Sequence, residues 1–254
     1  MRVALTIAGS DSGGGAGIQA DLKTFQRFGV FGTSAITAVT AQNTVGVRSW
    51  EPVSAALVRD QIAAVAEDLA PSAFKTGMLG SAAVAHAVAS AIRENDLVNY
   101  VLDPVIVATS GDRLLDDDAI EIVRRELIPL SLLVTPNSDE AFELTGKEVR
   151  TTADAAYVAE LLVREYGAVA ALVKGGHITD GDGVTDVLYT DKPHFFRGAR
   201  IESHSTHGTG CTLSAAITAA LALGEPLEQA VGGAIEFVRN AILAAPKLGR
   251  GNGP

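Results

Sequence analysis

Short apolar segments alternate along this chain with longer segments in which apolar residues recur every three or four positions. The short segments have the length of buried β-strands, and the long ones have the period of amphipathic α-helices. This alternation predicts βαβ units and an α/β fold with a doubly wound, mostly parallel central sheet and helices on both faces. The predicted strands are Val3–Ala8, Ser34–Val39, Ala73–Lys75, Tyr100–Leu102, Leu132–Val134 and Val169–Val173, and the predicted helices lie near residues 18–28, 54–68, 82–94, 117–126, 138–144 and 153–165.

The pattern changes after Gly183. Val184–Tyr189 and His194–Arg197 read as two strands joined by a turn at residues 190–193, which predicts a β-hairpin. Two further helices, Cys211–Leu223 and Leu227–Leu243, follow it. No linker-like segment, internal repeat or low-complexity tract interrupts the 254 residues, so we expect one domain spanning 1–254.

The composition is that of an ordinary globular protein, with 47% apolar and 20% charged residues. The formal net charge is -10 and no basic patch is visible, which argues against a nucleic-acid partner. No apolar run reaches the roughly 18–20 residues that span a membrane. The apolar run after Arg2 is too short for a signal peptide. The single cysteine excludes an internal disulfide and fits the cytoplasm, where we expect the protein.

Glycine-rich and polar segments follow several of the predicted strands. They begin after Ala8, Val39, Leu102, Val134 and Val173. In a doubly wound sheet the carboxyl ends of the parallel strands face one crevice, and ligands bind there. We therefore expect these segments to meet at one ligand-binding cleft.

The strongest local motif is Thr206-His-Gly-Thr-Gly-Cys211, which precedes a helix of small residues. Its glycines let backbone N–H groups converge, and the helix N-terminus adds partial positive charge, which suits a phosphoryl group in transfer. Cys211 would lie in the first helical turn, where the same dipole lowers a thiol pKa and favours the thiolate. The alternative is a glycine-rich turn followed by a buried structural cysteine.

A second glycine-rich segment, Gly9-Ser-Asp-Ser-Gly-Gly-Gly-Ala-Gly17, links the first strand to the first helix. Gly15, Gly17 and Ala20 match the relaxed dinucleotide fingerprint of many oxidoreductases. The acidic residue that this fingerprint expects about 20 positions later is absent, and no P-loop lysine follows the glycines. A substrate- or phosphate-binding loop and a flexible turn therefore both stay open.

Polar side chains near other strand ends have more than one interpretation. Asp21 and Gln42 could hydrogen-bond the edge of a polar heterocycle, although a charge at a helix start and a polar loop residue are simpler explanations. Asp103 and Glu140 could hold Mg²⁺, but Asn137 and Glu140 also match a helix capping box.

Lys174 follows a buried strand and could reach nucleotide phosphates. His204 and His207 have the spacing of paired metal ligands, but no third ligand is evident. The sequence therefore disfavours a metal site at the two histidines.

Taken together, these segments resemble the hydroxymethylpyrimidine/phosphomethylpyrimidine kinases. The resemblance is carried by residues 8–25, Thr40-Ala-Gln-Asn-Thr44, Lys75-Thr-Gly-Met-Leu79, Leu102-Asp-Pro-Val105, Ser110-Gly-Asp112, Thr135-Pro-Asn137, Lys174-Gly-Gly-His177 and Thr206-His-Gly-Thr-Gly-Cys211. Their order and spacing cover essentially the whole chain. The first and last segments are specific to this family among ribokinase-like proteins.

The resemblance implies a ribokinase-like fold and a kinase that depends on ATP and Mg²⁺. Such enzymes phosphorylate 4-amino-5-hydroxymethyl-2-methylpyrimidine and then its monophosphate, giving the diphosphate used in thiamine biosynthesis. The resemblance also favours a homodimer that acts on a small-molecule substrate. With the acidic charge, the short apolar runs and the single cysteine, we expect a cytoplasmic protein with no nucleic-acid or membrane partner.

Carried over by position, the family's site residues fall on the motifs already described. Gln42 would pair with the pyrimidine edge in a pocket lined by Gly9, Ala16, Asp21, Met78 and Val105. Mg²⁺ would lie near Asp103 and Glu140, and the nucleotide would be bound by Asn137, Lys174, Thr206 and Thr209. Gly208, Gly210 and Cys211 would surround the γ-phosphate, with Cys211 either accepting the proton of the substrate hydroxyl as thiolate or positioning that hydroxyl.

The nearest alternative is a pyridoxal kinase, which uses the same chemistry on a similar heteroaromatic ring. Bifunctional members of that group often carry a second cysteine in the flap over the site, and residues 105–110 contain none. The same flap reads Ala108-Thr-Ser-Gly111 where many family members have a lysine. A non-catalytic pyrimidine-binding module is disfavoured because the candidate catalytic side chains are all present.

Overall fold

The computed structural model describes residues 1–107, 113–178 and 183–254. The strands are β1 (Val3–Asp11), β2 (Phe31–Asn43), β3 (Gly46–Pro52), β4 (Ala73–Thr76), β5 (Tyr100–Leu102), β6 (Leu133–Val134), β7 (Ala171–Val173), β8 (Gly183–Tyr189) and β9 (Pro193–Ala199). The helices are α1 (Gly17–Arg27), α2 (Ala55–Leu69), α3 (Ala82–Glu94), α4 (Asp117–Ile122), α5 (Ser138–Thr145), α6 (Thr152–Arg164), α7 (Thr209–Leu223) and α8 (Leu227–Leu243). Residues 123–130 continue α4 as a π-helical turn and then a 3₁₀ turn.

The strands within the described ranges form one sheet in the order β3-β2-β1-β4-β5-β6-β7-β8-β9. The pairs β2–β1, β1–β4, β4–β5, β5–β6 and β6–β7 are parallel. The pairs β2–β3, β7–β8 and β8–β9 are antiparallel. The predicted mostly parallel sheet and the predicted hairpin are therefore confirmed.

The edge strand β3 is not among the elements that the hydrophobic pattern predicts. Arg48, Ser49 and Glu51 are polar and exposed there, so the segment has no apolar face to reveal it. It forms because β2 continues past its predicted end to Asn43 and turns back as an antiparallel partner. β1 likewise continues past Ala8 to Asp11, so strand backbone reaches further into the cleft than predicted.

Successive residues of the central strands alternate between two buried apolar clusters. Leu5 and Ile7 of β1 face the cluster formed with α2 to α6, whereas Ala4 faces the cluster formed with α1, α7 and α8. Burial on both faces explains why these strands read as continuous apolar runs. The predicted arrangement of helices on both faces of the sheet is confirmed.

The carboxyl ends of β1, β2 and β4 to β7 lie along one edge of the sheet, because these strands are parallel. The strand order reverses at β1, which pairs with β2 on one side and with β4 on the other. Such a switch point opens a crevice between the loops that follow the strands. Among the helices of the described ranges, none is long and apolar enough to cross a membrane.

Candidate active site

A cavity of about 500 Å³ opens at the carboxyl ends of the parallel strands. Its lining contains all but one of the residues predicted for the site, namely Gly9, Ala16, Gln42, Met78, Asp103, Val105, Asn137, Glu140, Lys174, Thr206, Gly208, Thr209, Gly210 and Cys211. The exception is Asp21. The predicted convergence of the strand-end segments on one cleft therefore matches the geometry.

The loop between β1 and α1 is folded around the side chain of Asp11. Its carboxylate accepts hydrogen bonds from the backbone N–H groups of Gly13 (2.7 Å), Gly15 (3.0 Å) and Ala16 (2.9 Å). Burial acts to raise the pKa of Asp11, but its hydrogen bonds to His207 and to the backbone N–H groups hold that pKa below its usual value. The loop is therefore held around a buried carboxylate by three backbone hydrogen bonds.

Gly208 brings the loop before α7 into direct contact with the loop after β1. Its φ is +79°, and a Cβ atom placed on it would lie 1.9 Å from the carbonyl oxygen of Gly15. Only glycine permits both this backbone conformation and this approach. In the first hydrogen bond of α7, the N–H of Thr212 donates to the carbonyl oxygen of Gly208. The N–H groups of Gly210 and Cys211 come before this bond in the chain, and both residues line the cavity.

Cys211 lies in the first turn of α7, as predicted, in surroundings that favour the neutral thiol. Burial raises the pKa of Cys211 to about 11, although the positive charge of Lys75 acts in the opposite direction. Carboxylates at Asp21 and Asp103 raise it further. Burial therefore opposes the effect of the helix N-terminus, which the sequence analysis expects to favour the thiolate.

Lys174 connects the two carboxylates that were predicted to lie near Mg²⁺. Its Nζ lies 3.2 Å from Asp103 Oδ1 and 3.4 Å from Glu140 Oε2. Asp103 Oδ2 also accepts a hydrogen bond from the hydroxyl of Ser214 (3.1 Å). The ammonium group thus occupies the position between two buried acids where a cation is electrostatically favoured.

The charge states of this cluster differ from those of free side chains. Burial and the nearby charge of Asp103 raise the pKa of Glu140 to about 7, although Lys174 opposes them. Burial would raise the pKa of Asp103 as well, but Lys174 and Lys75 hold it below its usual value. For Lys174, burial acts to lower the pKa and the two carboxylates raise it, with a net increase.

Asn137 and Glu140 form the predicted capping box at the start of α5. The side chain of Asn137 accepts a hydrogen bond from the N–H of Glu140 (2.9 Å), and Glu140 Oε2 accepts one from the N–H of Asn137 (2.8 Å). Capping does not exclude a role in the cavity, because the same Glu140 Oε2 faces Lys174. The two interpretations left open by the sequence are therefore compatible.

Asp21 lies beneath the cavity and does not line it, so its predicted place in the pocket wall is wrong. The residue is fully buried, and its carboxylate accepts hydrogen bonds from Thr6 Oγ1 (2.6 Å) and from Lys75 Nζ (2.9 Å). Lys75 is also fully buried and lies 4.0 Å from Asp103 Oδ2. The pattern suggested a strand at Lys75 but gave no sign that this lysine would pair with Asp21.

The opposite half of the cavity is built for a flat polar ring. Met78 packs with Val105 and Leu114 to form an apolar wall. Gln42, near the end of β2, lies beside His207 with 3.3 Å between their Nε2 atoms. An amide edge next to an apolar wall can recognise the hydrogen-bonding edge of a heteroaromatic ring.

His207 contacts Asp11 (3.1 Å), and no cluster of three or more His, Cys, Asp or Glu side chains with metal-binding geometry occurs in the described part of the chain. The flap motif at residues 108–111 and the Ser110-Gly-Asp112 segment lie outside the described residues.

The topology and the cavity define the class of protein. A helix N-terminus with a glycine-rich turn faces a lysine and two acids at one end of the cavity, and a ring-sized pocket forms the other end. This arrangement on a doubly wound sheet is that of a small-molecule kinase with the ribokinase-like fold.

Comparisons with known proteins narrow this class to one family. The sequence model of the family described as phosphomethylpyrimidine kinase matches residues 11–254. The chain is 51% identical to the hydroxymethylpyrimidine/phosphomethylpyrimidine kinase of Rhizobium meliloti (strain 1021) over 257 residues, covering 99% of this chain and 95% of that protein. The chain belongs to the hydroxymethylpyrimidine/phosphomethylpyrimidine kinase family.

Solved structures agree with this assignment. The crystal structure of phosphomethylpyrimidine kinase from Clostridium difficile 630 superposes with a TM-score of 0.85 at 40% identity, covering 95% of this chain and 100% of that one. The pyridoxal kinase of Staphylococcus aureus, in complex with AMP-PCP and pyridoxal, superposes with a TM-score of 0.90 at 32% identity, covering 100% and 92%. The ribokinase-like prediction for the fold is confirmed.

Proposed function

We propose that this chain transfers the γ-phosphoryl group of ATP to 4-amino-5-hydroxymethyl-2-methylpyrimidine and then to its monophosphate, for thiamine biosynthesis. The observation that carries the proposal is that one cavity holds a ring-recognising amide, Gln42, and a phosphoryl-binding helix start, Gly208 to Cys211. The substrate hydroxymethyl group would extend from the ring toward that helix start. Family membership supports the same substrate.

In the proposed reaction the hydroxymethyl oxygen attacks the γ-phosphorus in line with the bond to the β–γ bridging oxygen. The new O–P bond forms, the bridging bond breaks and ADP leaves. N–H groups at Gly208, Gly210 and Cys211 would stabilise the charge on the equatorial oxygens. Positioning and electrostatics dominate such transfers, because their transition state is loose.

Cys211 acts in this proposal by positioning the hydroxyl. A thiol with a pKa of about 11 is a poor base at pH 7. Its sulfur can nevertheless hydrogen-bond the attacking hydroxyl and direct it at phosphorus. The hydroxyl proton then passes to the transferred phosphoryl group or to solvent after the new bond has formed.

Asp103 and Glu140 fit Mg²⁺. Mg²⁺ is commonly held by one or two carboxylates together with water and substrate phosphates, and these two buried acids already share the ammonium group of Lys174. When bound, Mg²⁺ supplies charge neutralisation to the phosphates of ATP. Lys174, which stays protonated, would then pair with phosphate oxygens instead of with the two acids.

A second candidate is a pyridoxal kinase activity. It is favoured by the close superposition on the Staphylococcus aureus pyridoxal kinase, a relative at 32% identity. The pyridoxal ring also carries a hydroxymethyl group beside a polar edge. The flap segment 105–110 contains no cysteine, which favours the pyrimidine as the main substrate.

One assay separates these candidates. ATP consumption is measured with the hydroxymethylpyrimidine and with pyridoxal, for wild type and Cys211→Ala, and products are identified by mass. We expect pyrimidine mono- and diphosphate from the wild type and a fall in kcat of about 10²-fold in the variant. Turnover of pyridoxal alone would select the second candidate, and turnover of neither would refute the kinase assignment for both substrates.

We further propose that residues 1–254 act as one domain and that the protein is a cytoplasmic homodimer. The family resemblance supports the dimer, and the exposed apolar side chains Val39 and Val45 at the β2–β3 edge offer apolar surface for a second copy. Light scattering coupled to gel filtration measures the mass directly. A mass of one chain at micromolar concentration would contradict the dimer.

A further inference from the structure

Three side chains from distant parts of the chain meet at the ring end of the cavity. His207 Nε2 lies 3.1 Å from Asp11 Oδ2 and 3.3 Å from Gln42 Nε2. The backbone N–H of His207 donates to the carbonyl of Gly253 (3.1 Å), which holds the residue from a second direction. The mechanism proposed above gives Asp11 and His207 no role, although both line the cavity.

The hydrogen-bonding partners determine where the proton on His207 lies. The Asp11 carboxylate is ionised, because its hydrogen bonds keep its pKa below the usual value despite burial, and an ionised carboxylate can only accept. His207 Nε2 therefore carries a hydrogen and donates it toward Asp11. A neighbouring group that approaches the same N–H from the side is favoured if it is also an acceptor.

Hydrogen-bonding partners also constrain the other end of the Gln42 amide. Thr40 Oγ1 lies 3.0 Å from the carbonyl oxygen of Ser10 and 3.2 Å from Gln42 Oε1, and it donates its single hydrogen over the shorter distance, to Ser10. With that hydrogen already used, the Thr40 oxygen can only accept from the amide. The atom of Gln42 beside Thr40 should therefore be the NH₂ group, and the atom beside His207 should be the oxygen.

We propose that the Asp11–His207 pair is a positioning device that, together with Thr40, holds the Gln42 amide with its oxygen toward His207 and its nitrogen toward Thr40. This orientation is the reverse of the one that the coordinates assign, with Gln42 Nε2 beside His207 and Oε1 beside Thr40. Rotating the amide by 180° exchanges these two atoms, which are of similar size, without moving the rest of the side chain. In this orientation each amide atom keeps one free hydrogen-bonding site for a ligand. The nitrogen offers a donor on the Thr40 side, and the oxygen offers an acceptor on the His207 side.

This orientation makes the pocket specific for one order of groups on the ring edge, an inference that rests on the proposed function. A 4-aminopyrimidine presents an amino donor beside a ring-nitrogen acceptor, which complements an amide held this way. The 4-oxo analogue presents the reverse order, a carbonyl acceptor beside a ring N–H donor. Sites that hydrogen-bond a substrate's polar edge reject mismatched analogues strongly, because buried partners are left unpaired.

The first test observes the proton on His207 without any turnover. In ¹⁵N–¹H correlation spectra of histidine-labelled protein that detect two-bond couplings, His207 should carry hydrogen on Nε2 at pH 7, either as that neutral tautomer or as the imidazolium. The His207→Phe spectrum assigns the signals. A neutral ring with hydrogen on Nδ1 and a bare Nε2 would overturn the proposal, whatever the enzyme's substrate is.

The second test compares the amino and oxo analogues as substrates of wild type, His207→Phe and His204→Phe. His204 is an exposed neighbour in the same segment and serves as the matched control. Wild type and the control should prefer the amino compound by about 10²-fold or more. His207→Phe should lower kcat/KM for the amino compound, mainly through KM, and reduce this preference at least about tenfold because the amide can then rotate.

The outcomes of the second test separate a positioning role from a merely structural one. Equal losses for both analogues in His207→Phe, with the preference unchanged, would overturn the positioning role. If wild type phosphorylates neither compound, the proposed function fails and the tautomer measurement alone decides the inference about His207.

Discussion

Lys75 and Asp21 form a buried ion pair, and replacing either partner alone should strongly lower the unfolding free energy of the protein. Lys75 Nζ and Asp21 Oδ1 are 2.9 Å apart, and both side chains are 0% exposed. Asp21→Asn leaves the ammonium buried, with Asp103 Oδ2 4.0 Å away as its nearest remaining carboxylate. Removing one partner of such a pair costs about 3–5 kcal/mol of unfolding free energy.

A surface pair of nearly the same length provides the matched control. Arg59 and Glu94 are 2.8 Å apart, but both side chains are 51% exposed. Glu94→Gln should cost at most about 1 kcal/mol, because water screens exposed pairs and solvates whichever charge is left. Because the two distances differ by only about 0.1 Å, the contrast between the pairs isolates the contribution of burial.

The assay is urea unfolding followed by circular dichroism at pH 7, on wild type, Asp21→Asn, Glu94→Gln and the double variant Asp21→Leu with Lys75→Met. The double variant should be more stable than Asp21→Asn, because two apolar groups leave no unpaired charge. A loss below about 1 kcal/mol in Asp21→Asn, or a double variant no more stable than the single one, would refute this reasoning.

Two further predictions concern the helix start at the cavity. Gly208→Ala should lower the unfolding free energy by about 2–3 kcal/mol and abolish measurable kinase activity, because its Cβ would lie 1.9 Å from Gly15 O at a φ of +79°. Gly233→Ala is the control, because a Cβ at this position of α8 meets nothing within 4 Å. It should leave the unfolding free energy unchanged or raise it, and it should leave kinase activity unchanged. Equal effects of the two substitutions would disprove the steric argument. Alkylation of the single cysteine, Cys211, by iodoacetamide should be slow at pH 7 and should keep rising above pH 9, since its pKa is raised to about 11. A rate that levels off below pH 8, measured by mass spectrometry on native protein, would show that the thiol pKa is not raised.

Much of the fold could be predicted from the sequence because its signals are local. Strand and helix periods depend on neighbouring residues, so most elements were predicted, and parallel strands place the segments that follow them at one edge. β3 was missed because Arg48, Ser49 and Glu51 give it no apolar face, and only its pairing with β2 makes it a strand.

The residues that line the cavity were also largely predictable from motifs, whereas their ionisation states and side-chain contacts were not. Asp21 precedes Lys75 by 54 positions and Asp11 precedes His207 by 196, so no local pattern relates the partners. Which side chains pair depends on the register of β1 against β4 and on how closely the loop before α7 approaches the loop after β1. The thiol state of Cys211 follows from burial, a property of the packed chain.

By itself, the sequence determined the order of the described helices and of the described strands except β3, the sheet edge where the site lies and the glycines that allow two loops to meet. Those features depend on local period, chirality and backbone freedom. Only the tertiary structure decided that Asp21 lies beneath the cavity, that Lys174 joins Asp103 to Glu140 and that His207 reaches Gln42. Ionisation and hydrogen bonding depend on distances between residues far apart in the chain, and these distances exist only after the chain has packed.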